Sequence, residues 1–202
     1  MAGTSDRNKP VISTLCYPRS GSTFLYTALE YLYEDYYFHP SRHTVWEVKD
    51  LVSKGEKLLI PFRNPLDAIG SWNIYRQEEH LGGTHFDWHN DTLEGDIKFY
   101  LRFYSEILPL KDNLIFFDFD KFTVDLSYIK SKMKKHLNME PTKNPLIEFI
   151  KSQMKSGIRK LNLPRETKPI IETVKPLIEQ HPLYSDTLSL YQKLQELEQE
   201  QG

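Results

Sequence analysis

Tyr17-Pro18-Arg19-Ser20-Gly21-Ser22-Thr23 gathers a guanidinium, several hydroxyls and one glycine, with no carboxylate among them. An apolar run suited to a strand precedes it (Val11, Ile12, Leu15), and apolar residues at helical spacing follow (Phe24, Leu25, Ala28, Leu29, Leu32). The order strand, loop, helix leaves the first helical N–H groups without intrahelical acceptors and aims the positive end of the helix dipole at the loop. Such a loop is a candidate cradle for an oxyanion. A second segment repeats the logic. Leu58 to Phe62 form a short apolar run fit for a buried strand, and Arg63-Asn64-Pro65-Leu66-Asp67-Ala68-Ile69-Gly70-Ser71 follows at once. Pro65 suits the first turn of a helix and Asp67 favours its dipole. Arg63 then stands at a strand end and Ser71 about two turns along the next helix.

What the first loop lacks narrows its chemistry. A nucleoside-triphosphatase P-loop reads G-x-x-x-x-G-K-[ST]. With its second glycine on Gly21, Cys16 stands in place of the first glycine and Ser22 in place of the lysine, and only Thr23 matches. Hydrolysis of ATP or GTP is therefore not expected. A phosphatase pairing of Cys16 with an arginine six positions on fails as well, because position 22 is Ser and Arg19 comes too soon. Cys16 reads as a small buried residue that ends a strand.

Tyr17-Pro18-Arg19-Ser20-Gly21-Ser22-Thr23-Phe24 resembles the 5′-phosphosulfate loop of the sulfotransferases that use 3′-phosphoadenosine 5′-phosphosulfate (PAPS), and Arg63 to Ser71 resembles their 3′-phosphate motif. The resemblance is close over residues 11 to 75, extends loosely to Leu114–Leu137 and fades after Asn138. It implies that Ser20, Gly21, Ser22 and Thr23 hold the 5′-phosphosulfate, that Arg63 and Ser71 hold the 3′-phosphate, and that Phe24 replaces an aromatic that stacks on adenine. The product would be PAP, with no metal required. Arg19 stands where the cytosolic branch usually has lysine; as a group that keeps its proton, it would act by charge and hydrogen bonds. The resemblance also implies a base for the acceptor hydroxyl: His43 first, Glu47 as its competitor and His39 third. Arg19 and Arg63 are 44 positions apart, shorter than in larger family members, which points to a reduced acceptor pocket. The acceptor would be a small molecule or carbohydrate carrying a hydroxyl. Two rival readings remain: a small P-loop-type nucleotide or metabolite kinase, and a non-catalytic PAP-binding or nucleotide-binding module.

The 202 residues suffice for one domain with a substantial core, and 39% hydrophobic with 27% charged residues is ordinary globular composition. With 26 basic against 28 acidic residues, no global field favours nucleic acid or an anionic membrane, so any anion site is local. The one cysteine excludes an internal disulfide; without an apolar run of membrane-spanning length or a charged-then-apolar leader, a cytoplasmic protein is the expectation. Residues 1 to 10 are polar and read as a flexible terminus, with a single domain over 11 to 202: an α/β core to 137 and a helical region from 138.

To position the two loops, the pattern supplies strands at 11–17, near 36–39, at 58–63 and at 114–119, and helices at 22–34, 44–54, 65–77 and 124–137. This alternation predicts a P-loop-like three-layer α/β fold, a central parallel sheet flanked by helices, with ligands beyond the strand C-termini. No element is assigned between Asp91 and Leu114. Lys130, Lys132, Lys134 and Lys135 read as a solvated helix face rather than a nucleic-acid patch. From Pro145 the chain is expected to be helical, with breaks at Pro164, Pro169, Pro176 and Pro182. Leu188, Tyr191, Leu194 and Leu197 form a stripe suited to docking on the domain or, in a homodimer, on a second copy. Lys155 and Gly157 faintly resemble the family's later basic-glycine element over the 3′-phosphate. His80, His85 and His89, split by Gly82-Gly83, lack the spacing of a metal site and read with Phe86 and Trp88 as part of an acceptor-binding segment or lid over 77–91.

Overall fold

The computed structural model describes residues 11–78, 92–156 and 168–202. Four parallel strands, β1 (Val11–Leu15), β2 (Tyr37–Arg42), β3 (Leu58–Phe62) and β4 (Leu114–Asp118), form one sheet in the order β2-β1-β3-β4. The expected parallel sheet is therefore present. β3 and β4 are buried along their whole length, as strands covered on both faces must be. β1 and β2 lose register between Ser13 and Leu15, where β2 spends one residue more than β1. Pro40 lies in that stretch and has no N–H to give the ladder.

Helices α1 (Ser22–Leu32), α2 (Val45–Ser53) and α3 (Pro65–Glu78) follow the first three strands. The chain leaves β1 toward β2 and later returns to its other side at β3, so the strand order reverses between β1 and β3. Ligands bind such α/β sheets beyond that reversal. Strand alternation divides the core: Leu15, Leu58, Ile60, Phe62, Leu114 and Phe116 face one layer, and Ile12, Leu59, Ile115 and Phe117 the other.

The interval without an assigned element holds α4 (Leu93–Ile107) and a 3-10 turn over Leu108–Asn113. Thr92 caps α4 by accepting from the Gly95 N–H at 3.1 Å, and Ile97, Phe99, Tyr100, Phe103, Tyr104 and Ile107 bury its inner face. A buried ion pair fastens α4 to α3. Arg76 donates through Nε and Nη2 to the two oxygens of Asp96 at 3.2 and 2.9 Å, and Asn73 donates to the same carboxylate at 2.7 Å.

Past β4, a single helical turn, α5 (Phe119–Phe122), begun by Asp118 accepting from Asp120 N–H at 3.0 Å, precedes the helix expected over 124–137, which is α6 (Leu126–Leu137), capped by Asp125. The basic run on α6 is not a wholly solvated face. Lys132 is only 3% exposed and pairs with Glu198 at 3.1 Å, because the C-terminal helix packs against it. α7 (Ile147–Ser156), α8 (Lys168–Glu179) and α9 (Tyr184–Glu200) complete the fold. Pro176 lies inside α8 and does not break it; the residue is exposed, so the carbonyl it leaves without an N–H donor can meet solvent. The stripe on α9 packs within its own chain: Tyr191, Leu194 and Leu197 are buried in the core cluster that also holds α4 and β4 side chains, with Leu188 partly buried against it. Gln201 donates to the Leu114 carbonyl at 2.7 Å and accepts from the Phe116 N–H at 2.9 Å, closing the outer edge of β4. No helix among the described residues is long and apolar enough to cross a membrane.

Asp96→Ala leaves Arg76 charged and buried without that carboxylate, and breaking a buried pair from one side costs about 3–5 kcal/mol. Urea unfolding should show a loss of that size; a loss no larger than a surface substitution gives would refute the anchoring role.

Candidate functional site

The loop after β1 turns through two left-handed residues, Arg19 at φ 64° and Gly21 at φ 88°. Gly21 is also the N-cap of α1, so no side chain caps the first helical N–H groups. A Cβ on Gly21 would lie 2.3 Å from Phe119 Cδ2, which makes glycine the residue that both the dihedral and the space require. Arg19 has a Cβ and takes the same region at a cost of about 1–2 kcal/mol, which the surrounding contacts must offset.

Those contacts come largely from α4. Tyr104 donates to the Pro61 carbonyl at 3.1 Å, so at its 3.2 Å contact with Ser20 the serine hydroxyl is the donor. Ser20 is fully buried, and its hydroxyl hydrogen is committed to the fold; what it can offer a ligand is its N–H. Tyr100 donates to the Arg63 carbonyl at 3.1 Å, and Tyr17 to the Asp96 carbonyl at 3.3 Å. Burial pushes all three phenols well above the usual tyrosine range, so they stay protonated donors. Sequence reasoning missed Tyr100 and Tyr104 because it assigned no helix there; the repeat of Phe99-Tyr100 and Phe103-Tyr104 at i and i+4 is the signal that could have placed them on one face.

Arg63 leaves β3 beside the loop. Its guanidinium carbon sits 4.3 Å from the centroid of the Phe119 ring, Nη2 is 3.8 Å from Asp67, and Nη1 lies 3.5 Å from the Arg19 carbonyl. Its Nε is buried and has no hydrogen-bond partner. Burial lowers the arginine from its ordinary value, with Asp67 and Asp120 opposing the shift. A half-buried, partly unpaired guanidinium fits a phosphate, whose oxygens accept in the fork geometry. Arg19 Nε donates to Ser71 Oγ at 3.0 Å while its guanidinium lies over Tyr75 at 5.1 Å. Arg19, Ser20, Gly21, Arg63 and Ser71 are thus brought together at the β1/β3 reversal, with Ser22 and Thr23 opening the helix beside them. Phe24 points elsewhere: it is 6% exposed and packs on Phe122 in the core, because α1 turns that face toward the sheet. The aromatics that meet the site's arginines are Phe119, against Arg63, and Tyr75, against Arg19.

His43 is half-buried at the end of β2. Its Nδ1 lies 2.7 Å from the Cys16 carbonyl, which can only accept, so Nδ1 carries the proton and the neutral ring keeps its lone pair on Nε2. Burial lowers its pKa below the ordinary histidine value, against that hydrogen bond and Glu47. Glu47 is engaged locally: its N–H donates to Thr44 Oγ1 at 3.3 Å, and the Thr44 hydroxyl donates to its carboxylate at 2.6 Å, a reciprocal cap on α2. His39 lies within β2, paired with Ser13, with Nδ1 buried and unbonded. Residues 79–91, with their three histidines, and Gly157 lie outside the described residues. Among the described residues, no group of three or more His, Cys, Asp or Glu could hold a metal ion.

No family model matches the chain, and no curated protein matches it. Among solved structures it is similar to mouse sulfotransferase SULT7A1 complexed with PAP, at 15% identity and a TM-score of 0.52, over 92% of this chain and 88% of that one. The chain shares the sulfotransferase fold, a parallel sheet flanked by helices.

Gly21 and Gly55 separate dihedral from space. Both have positive φ, yet a Cβ on Gly55 meets nothing within 4 Å. Gly55→Ala should cost about 1 kcal/mol in urea unfolding, and Gly21→Ala about 1–3 kcal/mol more for displacing the Phe119 and Phe122 rings. Equal losses would mean that both rings yield freely and do not press on the loop.

Proposed function

We propose that this chain is a PAPS-dependent O-sulfotransferase. The observation that carries the reading is the meeting of the uncapped α1 N-terminus with Arg63, whose buried Nε lacks a partner, at the strand reversal of a fold shared with a PAP-bound sulfotransferase. Arg63 and Ser71 would hold the 3′-phosphate, and the N–H groups of Ser20 to Thr23 with the Ser22 and Thr23 hydroxyls would hold the 5′-phosphosulfate. PAPS supplies the sulfuryl group and leaves as PAP. Arg19 reaches this region from the loop and would stabilise charge on the transferred oxygens without giving up its proton. Arginines and helix amides supply the positive charge, so the reading requires no metal ion. Phe24, buried in the core, drops out of the adenine contact.

His43 would take the proton of the acceptor hydroxyl on Nε2, the atom its Cys16 hydrogen bond leaves basic. The engagement of Glu47 in its helix cap favours His43 over it. In-line transfer then rests on positioning and electrostatics, with the base assisting as the acceptor bond forms. The acceptor is a small alcohol, phenol or sugar hydroxyl.

Calorimetric titration with PAP, adenosine 5′-phosphosulfate and ATP with Mg²⁺ tests the cofactor. PAP should bind well above the other two, and Arg63→Ala should weaken it by about 1.5–3 kcal/mol, the worth of a charged hydrogen bond. A preference for ATP with Mg²⁺ would favour the kinase reading; PAP binding without turnover on any alcohol would favour a binding module. The neutral imidazole is the active form and burial lowers its pKa, so kcat/KM should fall only as pH drops below the ordinary histidine value of about 6.5. That acid limb should vanish, with most of the rate, in His43→Ala; an unchanged profile would move the base elsewhere.

A further inference from the structure

Glu198, near the end of α9, is 2% exposed, yet it carries more polar contacts than docking a helix needs. Its carboxylate pairs with Lys132 of α6 at 3.1 Å and with Lys121 of α5, and it accepts from the Tyr128 hydroxyl at 2.8 Å. Two of these contacts lead to the same turn. Lys121 belongs to α5 itself. Tyr128, while donating to Glu198, accepts from the Asp118 N–H at 3.1 Å, at the residue where β4 ends and α5 begins. Glu198 therefore grips the β4–α5 turn at both ends, and Phe119 and Asp120 lie between the grips.

Phe119 is the ring that lies against Gly21 and under the Arg63 guanidinium. α5 is a single turn, too short to hold its own position by intrahelical bonds. We infer that Glu198 is a positioning residue for the anion-binding loop: through Lys121 and Tyr128 it fixes the β4–α5 turn, and that turn holds Phe119 against the loop and Arg63. The inference rests on the proposed cofactor site, and goes beyond it in assigning the C-terminal helix a part in cofactor affinity. A buried ion cluster is a poor source of net stability, since desolvation offsets most of the attraction, and its better-attested use is to fix one geometry.

The three contacts of Glu198 allow the roles to be separated. Lys121 is 43% exposed, so Lys121→Met removes the grip on α5 and leaves Lys132 and Tyr128 to hold α9. Lys132→Met does the reverse. Three readouts apply to each full-length variant: PAP affinity by titration, hydrogen exchange of the segment 17–25, and urea stability. Lys121→Met should weaken PAP by about 3- to 30-fold, the range of coupling carried through packed side chains, and should raise exchange in 17–25 with little change in stability. Lys121→Arg should retain both properties. Lys132→Met should lose stability while its folded form binds PAP as the wild type does. Wild-type affinity and exchange in Lys121→Met would overturn the inference, as would equal loosening of 17–25 by Lys132→Met, which would make Glu198 a docking residue only. Should the wild type fail to bind PAP, the cofactor reading falls, and exchange in 17–25 still decides the positioning role.

Discussion

The mouth of the sheet depends on one aromatic ring touching two chain segments. Phe119 lies so close to Gly21 that no side chain fits there, and its face carries the Arg63 guanidinium. Loop geometry and cation placement are thereby a single packing problem. A ring under a guanidinium also explains how a cation sits in a largely buried place with Asp67 only at 3.8 Å: the π-face supplies negative potential without demanding a hydrogen bond. This leaves the donors of Arg63 available in a way that a close carboxylate partner would not.

Around that contact the fold is built from outside the two loops. α3 carries Ser71 and α4 carries the tyrosines that hold the loop backbone, and the Arg76–Asp96 pair fixes these helices to each other. The hydroxyls of Tyr100 and Tyr104 terminate on the backbone of the β3 end, at Arg63 and Pro61. Phenols that burial holds well above the usual tyrosine range serve this purpose well, since they stay protonated donors at neutral pH.

Much of this was legible in the sequence where local chemistry decides. Strand and helix alternation gave the parallel sheet, and the apolar run before Arg63 placed that arginine at a strand end, as found. Legibility failed where the deciding partner lies far along the chain. Lys132 looks solvent-facing from its neighbours on α6, and only a glutamate 66 positions later buries it. Phe24 follows a recognisable loop, yet the direction of its side chain depends on which face α1 turns to the sheet. Pro176 reads as a break because propensity counts the lost N–H, whereas α8 is held from outside: Gly70 of α3 approaches closely enough that a Cβ there would lie 3.4 Å from Ile171. His43 could be named from the sequence as a candidate base, but the ring nitrogen that keeps its lone pair could not, since the Cys16 carbonyl that decides it lies just past the end of β1.

The amide of Gln201 imitates a neighbouring strand. By accepting from Phe116 and donating to Leu114 it occupies the positions that a fifth strand would use. At the other edge, β2 carries Pro40 at an irregular register. A short parallel sheet with buried aromatic strands is a natural template for another chain to extend, and here each edge offers an incoming strand an incomplete ladder. The same few residues that end the sheet therefore also guard the folded protein against edge-to-edge association.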